Sequence, residues 1–257
     1  MASCVAAPVL AHVRPTRLVT LHCARAFVAV LSLLALACGD RKAAPPPPPP
    51  LALPPLDRAW TIDDLAAAAV ELDAVCTSAP LRLPTYGTAA FARLVGPELH
   101  DEVPAQPLEA RQAELKRLDD AWLALYGTYL RCGRPTETLA ANAALLEGYA
   151  ASLQVGAALR DAAAAGSPQR AQREQGLAIM ADGLRGGVGS TVGMLLDPGL
   201  PASPPEVAAR LGAAIARVAA ALPPGALDES LAALRAGAAA ATEPARREML
   251  AAAVAAL

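Results

Sequence analysis

Between Leu108 and Tyr129 the apolar residues Leu115, Leu118, Trp122, Leu125 and Tyr129 fall at steps of three and four. That spacing lines one face of an α-helix, with EARQAELKRLDD (109–120) supplying the wet side. The period recurs in Val207, Leu211, Ile215, Val218 and Leu222, and again in Leu65, Ala68, Leu72 and Val75. Apolar-polar alternation of the kind a half-buried strand needs is found nowhere, and no repeat period holds its register. Hydrophobic residues make up 54% of the chain but aromatics only 3%, so alanine carries the excess. Alanine is the best helix former and buries little surface, which favours helices meeting across thin, close interfaces. The expectation is an all-α fold, one helical bundle of six to eight helices over residues 59–257.

Helix boundaries are marked along this region. Thr61 followed by Asp64 predicts an N-cap with a reciprocal partner. A short element over 88–95 stops at Gly96-Pro97, and the helix after Leu108 ends at Gly133 and Pro135. The next is expected from Glu137 to Ala165, burying Leu139, Leu146, Tyr149 and Leu153, with Gly166 as its cap. Ser167-Pro168 opens another helix, and Ser203-Pro204-Pro205-Glu206 predicts a capping box. Two shorter Ala-rich helices follow, from Asp228 and from Thr242.

The first forty residues differ in kind. From Ala26 to Ala37 there is no charge, and Arg14, Arg17 and Arg25 precede the run. A basic stretch, an apolar core of about 12 residues and small residues at its end describe a secretory signal, since crossing a bilayer takes about 20. Leu34-Ala35-Leu36-Ala37 leads directly into Cys38 and resembles the lipobox of bacterial lipoproteins, with Ala35 where leucine is usual. The resemblance implies cleavage after Ala37 and acylation of the Cys38 thiol and of the new amino terminus. The alternative is a cysteine ending a core helix, which the flanking arginines and following prolines oppose. In Gram-negative lipoproteins an aspartate directly after the cysteine signals inner-membrane retention. Gly39 stands there, so the resemblance implies the outer membrane, facing the periplasm.

Residues 1–37 form the expected signal peptide and 38–58 a lipid-anchored, Pro-rich linker. The six prolines at 45–50 lack amide donors and favour polyproline II, so this tract is read as a stiff spacer, with a docking site for a proline-reading domain as its alternative. Cleavage removes three arginines, taking basic residues from 22 to 19 against 24 acidic ones, a net charge of about −5. That sign opposes nucleic-acid binding and electrostatic docking on anionic lipid. Membrane attachment must then come from acyl chains, two or three of which hold a protein where one is marginal.

The segment GLAIMADGLRGGVGSTVGMLL (176–196) carries six glycines. It is not a P-loop, because Ser190 occupies the place of the lysine. Gly176, Gly183 and Ser190 lie seven apart, and Ile179, Gly186 and Gly193 fall between them. This predicts a small-residue face against which another helix packs closely, on a central helix that is kinked or broken near Gly186-Gly187. Leu177, Ala181, Leu184, Val188 and Leu195 make the opposite face apolar too. Asp182 and Arg185 in its middle exclude a membrane span.

Residues fit for catalysis are few. Cys4 and Cys23 leave with the signal, and the remaining Cys76 and Cys132 suggest a disulfide in an oxidising compartment. Two buried thiols, or a catalytic cysteine with His100, are the alternatives. His100 sits in ELHDE (98–102) without metal-ligand spacing, so a solvated loop is expected there, with Asp119-Asp120 on a wet helix face. No G-x-S-x-G or C-x-x-C occurs. The sequence thus implies no metal and no cofactor. It favours a lipid-anchored envelope protein, non-enzymatic, that binds another envelope protein or has a structural role. A carrier with an apolar inter-helix pocket is the second reading, and a carboxylate-based glycan-acting enzyme the third.

Overall fold

A computed structural model describes residues 57–61, 63–64, 83–95 and 99–257. Cys38, Cys76, the expected signal and nearly all of the linker lie outside them. Among the described residues there are seven α-helices and no strand, so the protein is an all-α helical bundle. The helices are α1 (Ala89–Val95), α2 (Leu108–Arg131), α3 (Pro135–Ala162), α4 (Pro168–Leu196), α5 (Pro205–Ala221), α6 (Asp228–Ala240) and α7 (Pro244–Ala255). A 3-10 turn, Leu99–Glu102, links α1 to α2.

The stripe of α2 buries as its period predicts, with Leu115, Leu118, Trp122, Leu125 and Tyr129 all inside. The helix ends in a Schellman motif. Gly133 takes a left-handed φ of 63° and its amide donates to Leu130 O, while the Arg134 amide donates to Tyr129 O. The chain reverses within this turn and enters α3 at Pro135, whose missing N–H costs nothing at a first helical position.

Helix α3 is the central element, packed by α2, α4 and α5. It buries almost its whole circumference from Glu137 to Gly148, with Ala140, Ala141, Ala143 and Ala144 sealed on all sides. Alanine permits this, because small side chains let three neighbours approach one axis. Leu139, Leu146 and Leu153 are buried as expected and Tyr149 is half-buried. Ser167 caps α4 by accepting from the Arg170 amide at 3.2 Å. Thr61 and Asp64 make their reciprocal cap, Asp64 N to Thr61 Oγ1 at 3.2 Å and Thr61 N to Asp64 Oδ2 at 2.7 Å. The Arg58 guanidinium hydrogen-bonded to Asp64 holds that carboxyl well below the usual range.

Three expectations are corrected. Helix α4 is continuous and peripheral, turned opposite to the prediction. Leu184, Val188, Thr191, Val192 and Leu195 face inward, whereas Gly176, Gly186, Ser190 and Gly193 are exposed and Gly183 is half-buried. A Cβ added at Gly176, Gly183, Gly186 or Gly193 would meet nothing within 4 Å. The larger apolar side chains on the other face bury more surface, and they decide the rotation. Secondly, no capping box forms at Ser203. The N-cap of α5 is Pro204, Ser203 is drawn inward with its amide on Met249 Sδ at 3.2 Å, and Glu206 accepts from the Tyr86 hydroxyl instead. Thirdly, His100 and Asp119 are not solvated; both are buried.

Close backbone approaches occur elsewhere. A Cβ at Gly212 on α5 would stand 2.1 Å from the Ala253 carbonyl oxygen of α7. One at Gly156 on α3 would stand 2.9 Å from Leu177 Cδ2 of α4. These glycines, not those of the α4 stripe, let helices touch.

Candidate functional site

Two arrangements could carry function: polar groups sealed in the core, and an apolar cleft at one end of the bundle. The polar groups tie α3 to each neighbour in turn. Asn142 Nδ2 donates to Thr191 Oγ1 of α4 at 2.6 Å, and Thr191 Oγ1 donates to Gly187 O at 2.8 Å. Glu147 pairs with Arg210 of α5 at 2.5 Å, their side chains 0% and 8% exposed. Ser152 Oγ donates to Asp119 Oδ2 of α2 at 3.0 Å. Each contact fixes one position of α3 against a neighbouring helix.

The Ser152–Asp119 pair extends to His100, only 2% exposed on the 3-10 turn. His100 Nε2 lies 3.6 Å from Asp119 Oδ1, an ion-pair distance too long for a hydrogen bond. Gly148 makes room for both, since a Cβ there would fall 1.8 Å from Asp119 Oδ1 and 2.6 Å from His100 Nε2. Burial raises the Asp119 pKa, opposed by the attraction of His100 and the Ser152 hydroxyl. Tyr149 nearby is pushed up to about 12, by burial first and then by Asp119 and Asp120.

Serine, aspartate and histidine in one cluster suggest acyl transfer, but the order is wrong. A nucleophilic serine needs the imidazole between itself and the carboxylate. Here the aspartate stands in the middle and Ser152 donates to it. All three are buried, and the cluster pins residues 99–102 onto α2 and α3. The buried carboxylates Asp119 and Glu147 face an imidazole and a guanidinium, not each other, so they do not form the opposed pair of a glycosidase. Among the described residues no group of three His, Cys, Asp or Glu side chains could hold a metal. No helix among them is long and apolar enough to cross a membrane.

The cleft lies where the Schellman turn meets the 197–204 loop. Its volume is about 260 Å³, and Leu130, Leu139, Met194, Leu195, Leu200 and Met249 form its apolar wall. Leu130 and Leu200 are 55% and 36% exposed, so the rim is apolar as well. Arg134 and Arg246 also line it. Arg246 reaches from α7 to donate to Leu195 O at 3.2 Å and to Leu200 O, strapping the loop over the cleft wall. Thr138, the one other polar side chain here, is turned to Arg134 O at 2.7 Å. A broader, open groove lies on the other side of the same loop, sharing Leu200, Pro201 and Arg246.

Protein-family models, curated proteins and solved structures were compared with the chain, and none matches.

Cys132, the C-cap residue of α2, is disulfide-bonded at the edge of this turn, and the expected partner Cys76 lies outside the described residues. The cleft was missed in sequence because its wall comes from five separate elements. The buried acids could have been found. Asp119 follows Leu115 by four and precedes Trp122 by three, so it sits within the apolar stripe. Glu147 is four after Ala143 and directly beside Leu146.

Proposed function

We propose that this chain is a lipid-anchored protein of the cell envelope, held at the outer membrane through Cys38, whose helical body binds a ligand or partner at the α2–α3 cleft and catalyses no reaction. The apolar cleft with exposed Leu130 and Leu200 at its rim carries this reading. The histidine and the buried carboxylates are committed to the core, which leaves recognition as the work of the surface. The lipobox-like stretch and the proline tract support a tethered body that reaches away from the bilayer.

Two measurements in intact cells test it. With an alkyne-bearing fatty acid in the medium, the chain takes up label and Cys38→Ser abolishes it; an unlabelled wild type removes the anchor. A photo-crosslinking residue at Leu130 is expected to give adducts, and one at Ile179 on α4, 65% exposed and outside the cleft, none. Equal adducts from both positions would remove the cleft from the proposal.

The disulfide of Cys132 is assigned by this reading to Cys76. In the chain-entropy model a loop of that length contributes about 4 kcal/mol. Cys76→Ser should leave Cys132 as a free, alkylatable thiol in oxidised protein. A blocked Cys132 in that variant would mean another partner.

A further inference from the structure

The cleft's chemistry narrows what it takes. Its volume of about 260 Å³ falls just below the roughly 300 Å³ at which pockets for drug-sized ligands begin, so it suits one narrow chain better than a ring system. Its wall holds no aromatic side chain to stack a planar group. Two methionines and four leucines form an adaptable aliphatic surface. The single neutral polar side chain, Thr138, is turned away to a backbone carbonyl.

What remains polar is cationic. Arg246 is engaged by the carbonyls of Leu195 and Leu200, so it contributes its charge and few free donors. Its acidic neighbour Glu243 stands 3.9 Å away and is more than half exposed. Arg134 is exposed, lines the same cleft, and makes no ion pair among the described residues. Two guanidiniums beside an aliphatic slot, on a chain of net negative charge, complement an aliphatic tail with an anionic head.

We infer that the cleft binds a fatty acid, its acyl chain lying along Leu139, Met194 and Met249 and its carboxylate meeting Arg134 under the field of Arg246. The inference rests on the reading of the cleft as the binding site and names the ligand class for it. Binding of a neutral alcohol of equal length would use the same slot without the guanidinium contact. A charge-assisted contact at a partly exposed rim separates the two by about ten-fold in Kd.

The full chain carrying Cys38→Ser is titrated calorimetrically with decanoate, with decanol and with decyltrimethylammonium, each below its micellar concentration. Decanoate is expected to bind one to one, decanol about ten-fold more weakly and the cation more weakly still. Arg134→Glu should erase the preference for decanoate over decanol. Leu200→Asp should weaken decanoate and decanol at least ten-fold, and because Leu200 is in an exposed loop its helical circular dichroism should stay that of the parent. Decanol binding as tightly as decanoate, saturation unaffected by Leu200→Asp, or no decanoate binding would each overturn the inference. Crosslinks specific to Leu130 alongside a failed decanoate titration reject the fatty acid alone. Loss of both rejects the cleft.

Discussion

Arg210→Ala lowers the stability of the helical body by about 3–5 kcal/mol, the cost of removing one partner of a buried ion pair. The partner left behind is Glu147, whose side chain is fully enclosed on the central helix. For a body of this size each kcal/mol moves the thermal midpoint by about 2–4 °C, so a fall of roughly 10 °C is expected. Replacing both partners with apolar residues, Glu147→Leu with Arg210→Met, should recover most of the loss, since two desolvated charges often do no better than well-packed methylenes. Urea denaturation of the wild type, both single variants and the double variant gives the coupling directly. If the single variants stay within about 1 kcal/mol of wild type, water reaches the pair and the core is not sealed as described.

Sequence signals reach only part of this arrangement. Periodicity located α2 because its large side chains fall on one face, and Ser167 and Gly133 marked helix ends because each satisfies backbone groups locally. Such signals act within a few residues. The rank of helices did not follow from them. Helix α3, with Ala140, Ala141, Ala143 and Ala144, has no strongly one-sided pattern, yet alanine is what allows it to be surrounded. The Gly-rich α4 looked central and lies at the edge. Ser203 had the right spacing for a capping box, but burial against Met249 outweighed one local hydrogen bond. His100 and Asp119 read as solvated because charged residues usually are; their burial depends on Gly148 and Ser152, which only the tertiary arrangement brings beside them. The cleft was the least legible feature, since no single segment contains it.

Glycine substitutions separate the two accounts of how these helices pack. Gly212→Ala should destabilise the protein by about 1–3 kcal/mol or more, because the new Cβ collides with a carbonyl and overpacking against backbone finds little relief. The oxygen it meets, on Ala253, would stand 2.1 Å away, and neither α5 nor α7 can yield without moving as a whole. Gly237→Ala meets Leu196 Cδ2 at 2.2 Å, the end of a side chain that can rotate, so its cost should be smaller. The α4 stripe should respond with the opposite sign. At Gly176, Gly186 and Gly193 alanine meets open space inside a regular helix, and each change should stabilise by about 0.5–1 kcal/mol through helix propensity. Scanning calorimetry on the five single variants distinguishes the cases. A stabilised Gly212→Ala would mean that α5 and α7 do not touch as described. A destabilised Gly186→Ala would mean that the stripe is covered after all, by a surface outside the described residues or by a second chain.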